Sequence, residues 1–260
     1  MTVVVAYSAD ALGRVALEHG IEQARVRGRR LLVVNATRGD AYVDKQFASD
    51  EALAEVGERL READVDADVV QEVVSDVAAG LVDAARGADL LVVGVRQRSP
   101  VGKMLLGSVT QSVLLDADVP VLAVSALPTG HPDAPVVVAY RDDDPGRAAL
   151  AYAAQEAARS GRRLLLAHVD TADADARTVA EDDLVEAVRQ LDEQGVAAEL
   201  APLRDRDVAG AVQQLVDDRR AGLLVLGVRH RTPVGKMLMG SVAQRLILDL
   251  DVPVAAVKPR

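Results

Sequence analysis

The sequence predicts an α/β fold made twice, as two tandem doubly wound sheets of five parallel strands each. Three observations carry this reading. The chain repeats itself at a fixed offset. Each repeat alternates short apolar runs with longer amphipathic stretches. The runs are apolar at consecutive positions, as in strands covered by helices on both faces.

The repeat comes first. The pentapeptide VVVAY at residues 3–7 returns at 136–140, an offset of 136 − 3 = 133. Gly13-Arg14 returns as Gly146-Arg147, and GRRLL at 28–32 returns at 161–165. Residues 94–124 match residues 227–257 at 22 of 31 positions with the same offset. Duplication on this scale sets two domains, 1–130 and 134–260, each of the size expected for one core, roughly 100–200 residues. Residues 125–133 read SALPTGHPD, a linker of turn formers. The middle of each repeat, about 37–74 and 170–207, has diverged most.

Within the first repeat the elements follow in order. Residues 3–7 form a strand. Residues 11–26 place Leu12, Val15, Ala16, Leu17 and Ile21 at helical spacing. Residues 31–36 are a strand, and 51–62, with Leu53, Val56 and Leu60 on one stripe, a helix. A strand at 67–74, a helix at 77–86 and a strand at 90–95 follow. The repeat closes with a helix at 108–116 and a strand at 119–124. Five strands and four helices make a parallel sheet with right-handed crossovers. Periodicity leaves the flavodoxin-like and nucleotide-binding strand orders both open.

Composition excludes several functions. Lys+Arg is 30 against Asp+Glu 40, a net charge of -10, and aromatics are 2%. Neither a basic field nor a base-stacking platform is on offer, so no nucleic-acid partner is expected. Cysteine is absent, which removes disulfides, thiol nucleophiles, iron–sulfur clusters and thiolate zinc sites. The four histidines lack metal-ligand spacing, and no metal site is expected. The opening MTVVVAYSAD has no positive n-region, and no run reaches about 18 apolar residues. The expectation is a soluble, cytoplasmic protein without a membrane partner. No nucleophile–base–orienter set is visible, so no reaction is assigned.

Ligands of open α/β sheets sit beyond the carboxyl ends of the strands. There the loop after the fourth strand stands out: GVRQRSPVGKMLLGSVTQ at 94–111 and GVRHRTPVGKMLMGSVAQ at 227–244. Arg96, Arg98 and Lys103 make it locally basic in an acidic chain, and two of the four lysines are the equivalent Lys103 and Lys236. A glycine-rich loop opening a helix presents N–H groups to an anion. The alternative is structural. Ser108-x-x-Gln111 and Ser241-x-x-Gln244 fit capping boxes, and Gly94 and Gly107 fit tight turns. Two phosphate motifs fail: Gly102-Lys103 is followed by Met104, and Tyr7-Ser8-Ala9-Asp10 lacks the dinucleotide glycines. Tyr7 and Tyr140, ending the first strands, fit either the core or an adenine pocket. Asn35-Ala36-Thr37 matches a glycosylation sequon, to which no meaning is given.

The loop and the five-strand pattern together resemble the universal stress protein family in its tandem two-domain form. The family signature is G-x2-G-x9-G-[ST]. Gly94, Gly107 and Ser108 fit its first, third and fourth positions, and Gly227, Gly240 and Ser241 repeat them. The Val-Pro-Val at 119–121 and 252–254 also resembles the family's last strand. The resemblance covers nearly the whole chain twice. It implies a Rossmann-like sheet of the adenine nucleotide alpha hydrolase kind, with strand order 3-2-1-4-5. It also implies binding of ATP or another adenine nucleotide, with Mg accompanying it. The expected binding residues are Ser8, Gly94, Gly102, Lys103, Gly107, Ser108 and Val109, with Arg141, Gly227, Gly235, Lys236, Gly240, Ser241 and Val242 in the second repeat.

The chain departs from the pattern at two places. The second motif glycine is Gln97 in one repeat and His230 in the other. The Asp after the first strand is Ser8 and Arg141. Three functional readings stand: an adenine-nucleotide-binding regulator or sensor without rapid turnover, a non-binding interaction module, and a slow ATP hydrolase. The resemblance further implies an intramolecular pseudo-dimer of the repeats, joined through their fifth strands, or a further homodimer.

Overall fold

The computed structural model describes residues 2–40, 42, 44, 46–96, 106–128, 131, 133–171, 178–229 and 239–259. They form two compact units, carried mainly by residues 2–128 and 133–229. The first contains β1 (Thr2–Ala6), α1 (Ala11–Arg27), β2 (Arg30–Thr37), α2 (Asp50–Glu62) and β3 (Ala67–Val73). It continues with α3 (Val77–Ala84), β4 (Leu90–Gly94), α4 (Ser108–Asp116) and β5 (Val121–Val124). Its strands run β3-β2-β1-β4-β5, the order that the resemblance implies. The pairs are parallel, with Ala6 level with Val34 on one side and Val93 on the other.

The core explains the unbroken apolar runs. Val3, Val5, Leu90, Leu91 and Val92 are each 0% exposed, because helices cover both faces of the sheet. Helix starts follow capping chemistry. Asp10 accepts from the Gly13 N–H, Ser49 from the Ala52 N–H, and Asp76 from those of Ala78 and Ala79. Helix α1 ends where Gly28 turns left-handed at φ 59°. Two boundaries differ from expectation by two residues, the others by at most one. Strand β5 begins at Val121, past Pro120. Proline has no N–H for the ladder; its carbonyl instead accepts from Leu91 N at 3.0 Å. Helix α3 stops at Ala84, and residues 85–87 form a turn.

The second unit repeats the plan: β6 (Val136–Ala139), α5 (Asp144–Ser160), β7 (Leu164–Asp170), α6 (Thr178–Glu193) and β8 (Ala198–Arg204). Then come α7 (Val208–Asp218), β9 (Leu223–Gly227), α8 (Ser241–Asp249) and β10 (Val254–Val257). The order is β8-β7-β6-β9-β10. The diverged middle becomes legible in space. The third strands are offset by 198 − 67 = 131 and the fourth by 223 − 90 = 133. Helix α7 has 11 residues against 8 in α3, and the turn after it is one residue shorter, which together absorb the difference. No described helix is long and apolar enough to cross a membrane.

His19 on α1 is 2% exposed, and its Nε2 lies 2.9 Å from the carbonyl of Ala126 at the start of the linker. Burial lowers its pKa below 6.5, against the smaller opposing effects of the Ala126 carbonyl, Glu22 and Glu18. The folded chain therefore holds the imidazole neutral, whereas the unfolded chain protonates it near its ordinary pKa. Stability from this site is fully present above about pH 6.5 and is lost as pH falls through the folded pKa. Urea unfolding at pH 7.5 and 5.5 should show an acid loss that His19→Gln reduces. Equal losses in both proteins would contradict the role given to His19.

Candidate functional site

The chain order reverses between β1 and β4, so the loops after these neighbouring strands diverge to opposite sides. A crevice must open there, and one does. It is a cavity of about 320 Å³, within the range of small-molecule sites, roughly 300–1,000 Å³. Ala6, Tyr7, Ser8 and Asp10 wall it from the β1–α1 turn, and Val93, Gly94 and Arg96 from the end of β4. Ala36 and Gln46 line it on the β2 side, and Gly107, Val109 and Thr110 at the start of α4.

The β1–α1 turn is tight. Ser8 Oγ donates to Asp10 Oδ1 at 2.9 Å, and the same oxygen accepts from Gly13 N at 2.8 Å. A Cβ on Gly13 would stand 1.8 Å from the Ser8 carbonyl oxygen, so the turn requires glycine there. Burial raises the Tyr7 pKa, Arg14 opposes, and Glu55 and Asp10 add to the rise. The phenol therefore stays neutral. Tyr7 is 8% exposed and lines the cavity, so it serves both the core and the pocket.

Asn35 fixes the β2 side. It is 0% exposed, and its Nδ2 donates to the carbonyls of Tyr7 and Gln46, each at 2.9 Å. Its Oδ1 accepts from Ala48 N at 3.1 Å and Gln71 Nε2 at 2.9 Å. One side chain thus ties the end of β1, the segment leading to α2, and β3. The glycosylation motif had an inward-facing asparagine as its acceptor. In the second unit His168 holds this place, its Nδ1 3.3 Å from the Tyr140 carbonyl.

The glycines of the signature differ in their reasons. A Cβ on Gly94 would lie 2.8 Å from the Leu12 carbonyl oxygen, and one on Gly227 2.3 Å from that of Pro145. Both serve close helix–strand packing. Gly107 has an ordinary φ of -55°, and a Cβ there would meet nothing among the described residues nearer than Thr110 Oγ1 at 3.9 Å. A Cβ on Gly240 would meet no described atom within 4 Å. The capping-box reading is corrected here. Gly107 is the N-cap of α4 and no described side chain caps the helix. Ser108 is the first helical residue and exposed, because the Gln111 N–H bonds the Gly107 carbonyl at 2.9 Å. The Gln244 N–H bonds Gly240 in the same way at 3.0 Å, so Ser241 also lies inside its helix. The mouth of the cavity therefore meets a helix N-terminus whose first turn no described side chain caps.

Of the expected binding residues, Ser8, Gly94, Gly107 and Val109 come together on this cavity. Gly102, Lys103, Gly235 and Lys236, with Gln97 and His230, lie outside the described residues. In the second unit Arg141 Nε donates to Asp143 Oδ2 at 2.9 Å, and Arg229 Nη2 stands 3.7 Å from that oxygen. Val242 and Ser241 are exposed at the start of α8. Sequence reading missed Asp10, Gln46 and Asn35. Asp10-x-x-Gly13 is a helix-start signature that points to the first, and a lone amide in LLVVNAT points to the last. Among the described residues no cluster of three His, Asp or Glu could hold a metal.

Comparison with known proteins adds the family context. The profile of the Universal stress protein family matches residues 1–125 and 134–258. A universal stress protein of Mycolicibacterium smegmatis is 50% identical over 124 residues, covering 47% of this chain and 95% of that protein. Another from the same organism is 30% identical over 195 residues, covering 71% of this chain and 66% of that longer protein. A universal stress protein structure from Archaeoglobus fulgidus has the fold over 99% of this chain and 98% of its own, at TM-score 0.75 and 20% identity. A second from that organism was solved in complex with dAMP; it covers 49% of this chain and 100% of its own, at TM-score 0.41 and 25% identity.

Proposed function

Since the chain belongs to the universal stress protein family, twice over, we propose that it is an adenine-nucleotide-binding regulatory or sensor protein. The nucleotide occupies the cavity of the first repeat. One observation carries the reading: an uncapped helix N-terminus with a glycine that the described fold does not demand borders a cavity at the switch point. Backbone N–H groups and the positive end of α4 suit phosphates, and the missing Cβ at Gly107 leaves room for their approach. Arg96 adds a cation at the same wall. Tyr7 and Ala36 give an apolar surface deeper in, and Gln46 an amide, which suit a nucleoside. Binding is what the described groups of this site offer: backbone N–H groups, a cation and an apolar surface that position a ligand.

Titration calorimetry with ATP, ADP, AMP, cyclic AMP and adenosine, with and without magnesium, tests the reading. Saturable heat with one or more adenine nucleotides is expected, stronger than with adenosine. The purified protein should also release nucleotide on denaturation. Silence in both experiments would leave the non-binding interaction module in its place.

A further inference from the structure

We infer that the chain carries a single nucleotide site and that side chains of the second repeat occlude its counterpart; this rests on the nucleotide reading of the first repeat. The two places can be compared residue by residue. Ala6 is level with Val34 and Val93 in the first sheet, and Ala139 with Ala167 and Leu226 in the second. Every one of these pairs differs by 133 (6 and 139, 34 and 167, 93 and 226), so the ends of the three central strands correspond.

At that offset, four residues on the first cavity's wall are replaced by larger ones, while Leu12 becomes Pro145 and Thr110 the smaller Ala243. Ala36 becomes Val169, Val93 becomes Leu226, Val113 becomes Leu246 and Ser8 becomes Arg141. Val169 and Leu226 bring extra volume to the register positions that border the nucleoside end of the first cavity, and Leu226 is buried, 3% exposed. Arg141 acts at the mouth. Its Nε and Nη2 both donate to Asp143 Oδ2, and Arg229 approaches the same oxygen. In the first repeat the equivalent Asp10 accepts a serine hydroxyl and a backbone N–H on Oδ1, with no arginine paired to it among the described residues. The ion pair at Asp143 is partly exposed, and such pairs bind weakly. Volume at the inner wall, more than charge at the mouth, therefore decides the exclusion. Arg141 holds its place because Asp143 is already fixed by capping Gly146 N at 2.9 Å. Duplication has thus separated the repeats, one for ligand and one for structure.

Stoichiometry of ATP per chain tests this. One equivalent is expected for the wild-type chain and none for Ser8→Arg/Ala36→Val. Arg141→Ser/Val169→Ala/Leu226→Val, checked for a retained melting transition, should bind two. Two equivalents in the wild type would overturn the inference and leave the nucleotide reading standing. So would a single equivalent that survives the first-repeat changes. A triple variant that is folded but still binds one would overturn the assignment of occlusion to these side chains. No binding by any of the chains would overturn the nucleotide reading and this inference with it.

Discussion

Gly107→Leu is expected to weaken nucleotide binding by at least about a hundredfold, on the order of 2.7 kcal/mol, with unfolding left nearly unchanged. The two halves of this expectation have separate causes. Gly107 has ordinary backbone angles and open space around its missing Cβ, so a side chain costs the described fold little. The same side chain projects where the N-terminus of α4 meets the cavity, and it keeps a phosphate from the N–H groups. Gly94→Leu is the contrast. Its Cβ would meet the backbone of Leu12 at 2.8 Å, so helix α1 must shift off β4. Binding and stability should fall together there. Calorimetry with urea unfolding on both variants separates them. Full affinity in Gly107→Leu would remove α4 from the site.

Asn35→Leu should destabilise the first repeat by about 3 kcal/mol or more, since a buried polar group left without its partner costs about 1–3 kcal/mol. Four groups lose a partner at once: the carbonyls of Tyr7 and Gln46, the Ala48 N–H and the Gln71 amide. Gln71 keeps a second bond, to the Ala48 carbonyl at 2.8 Å, and limits the damage. Tyr7 and Gln46 both line the cavity, so nucleotide affinity should fall as well. Urea unfolding reads the first effect. A loss below about 1 kcal/mol would mean that water or rearranged neighbours replace the amide.

Much of the fold is visible in the sequence because burial on both faces forces unbroken apolar runs, as at Leu90-Leu91-Val92-Val93. The helix at 108–116 coincides with α4, and the strand boundaries move by one or two residues. Strand order is different in kind. Parallel strands buried on both faces carry no mark of which neighbour they meet, so the order came from the family resemblance alone. The site was half legible. Glycine spacing located Gly94 and Gly107, yet spacing cannot tell a glycine required by packing from one that leaves room for a ligand. Only the distances to Leu12 and Thr110 do that. The serine-to-glutamine spacing in 108–111 fitted a capping box, but a box needs the serine one position earlier, and Gly107 occupies it. Asn35 stayed hidden because its partners come from three separate segments, which one sequence does not bring together.

Photolabelling with 8-azido-ATP, followed by peptide mapping, tests the nucleotide site most directly. Saturable label that ATP displaces should fall on peptides of the first cavity, those carrying residues 6–13, 36–46 and 107–113. Label on the second repeat alone, or label that excess ATP does not displace, would contradict the site assignment.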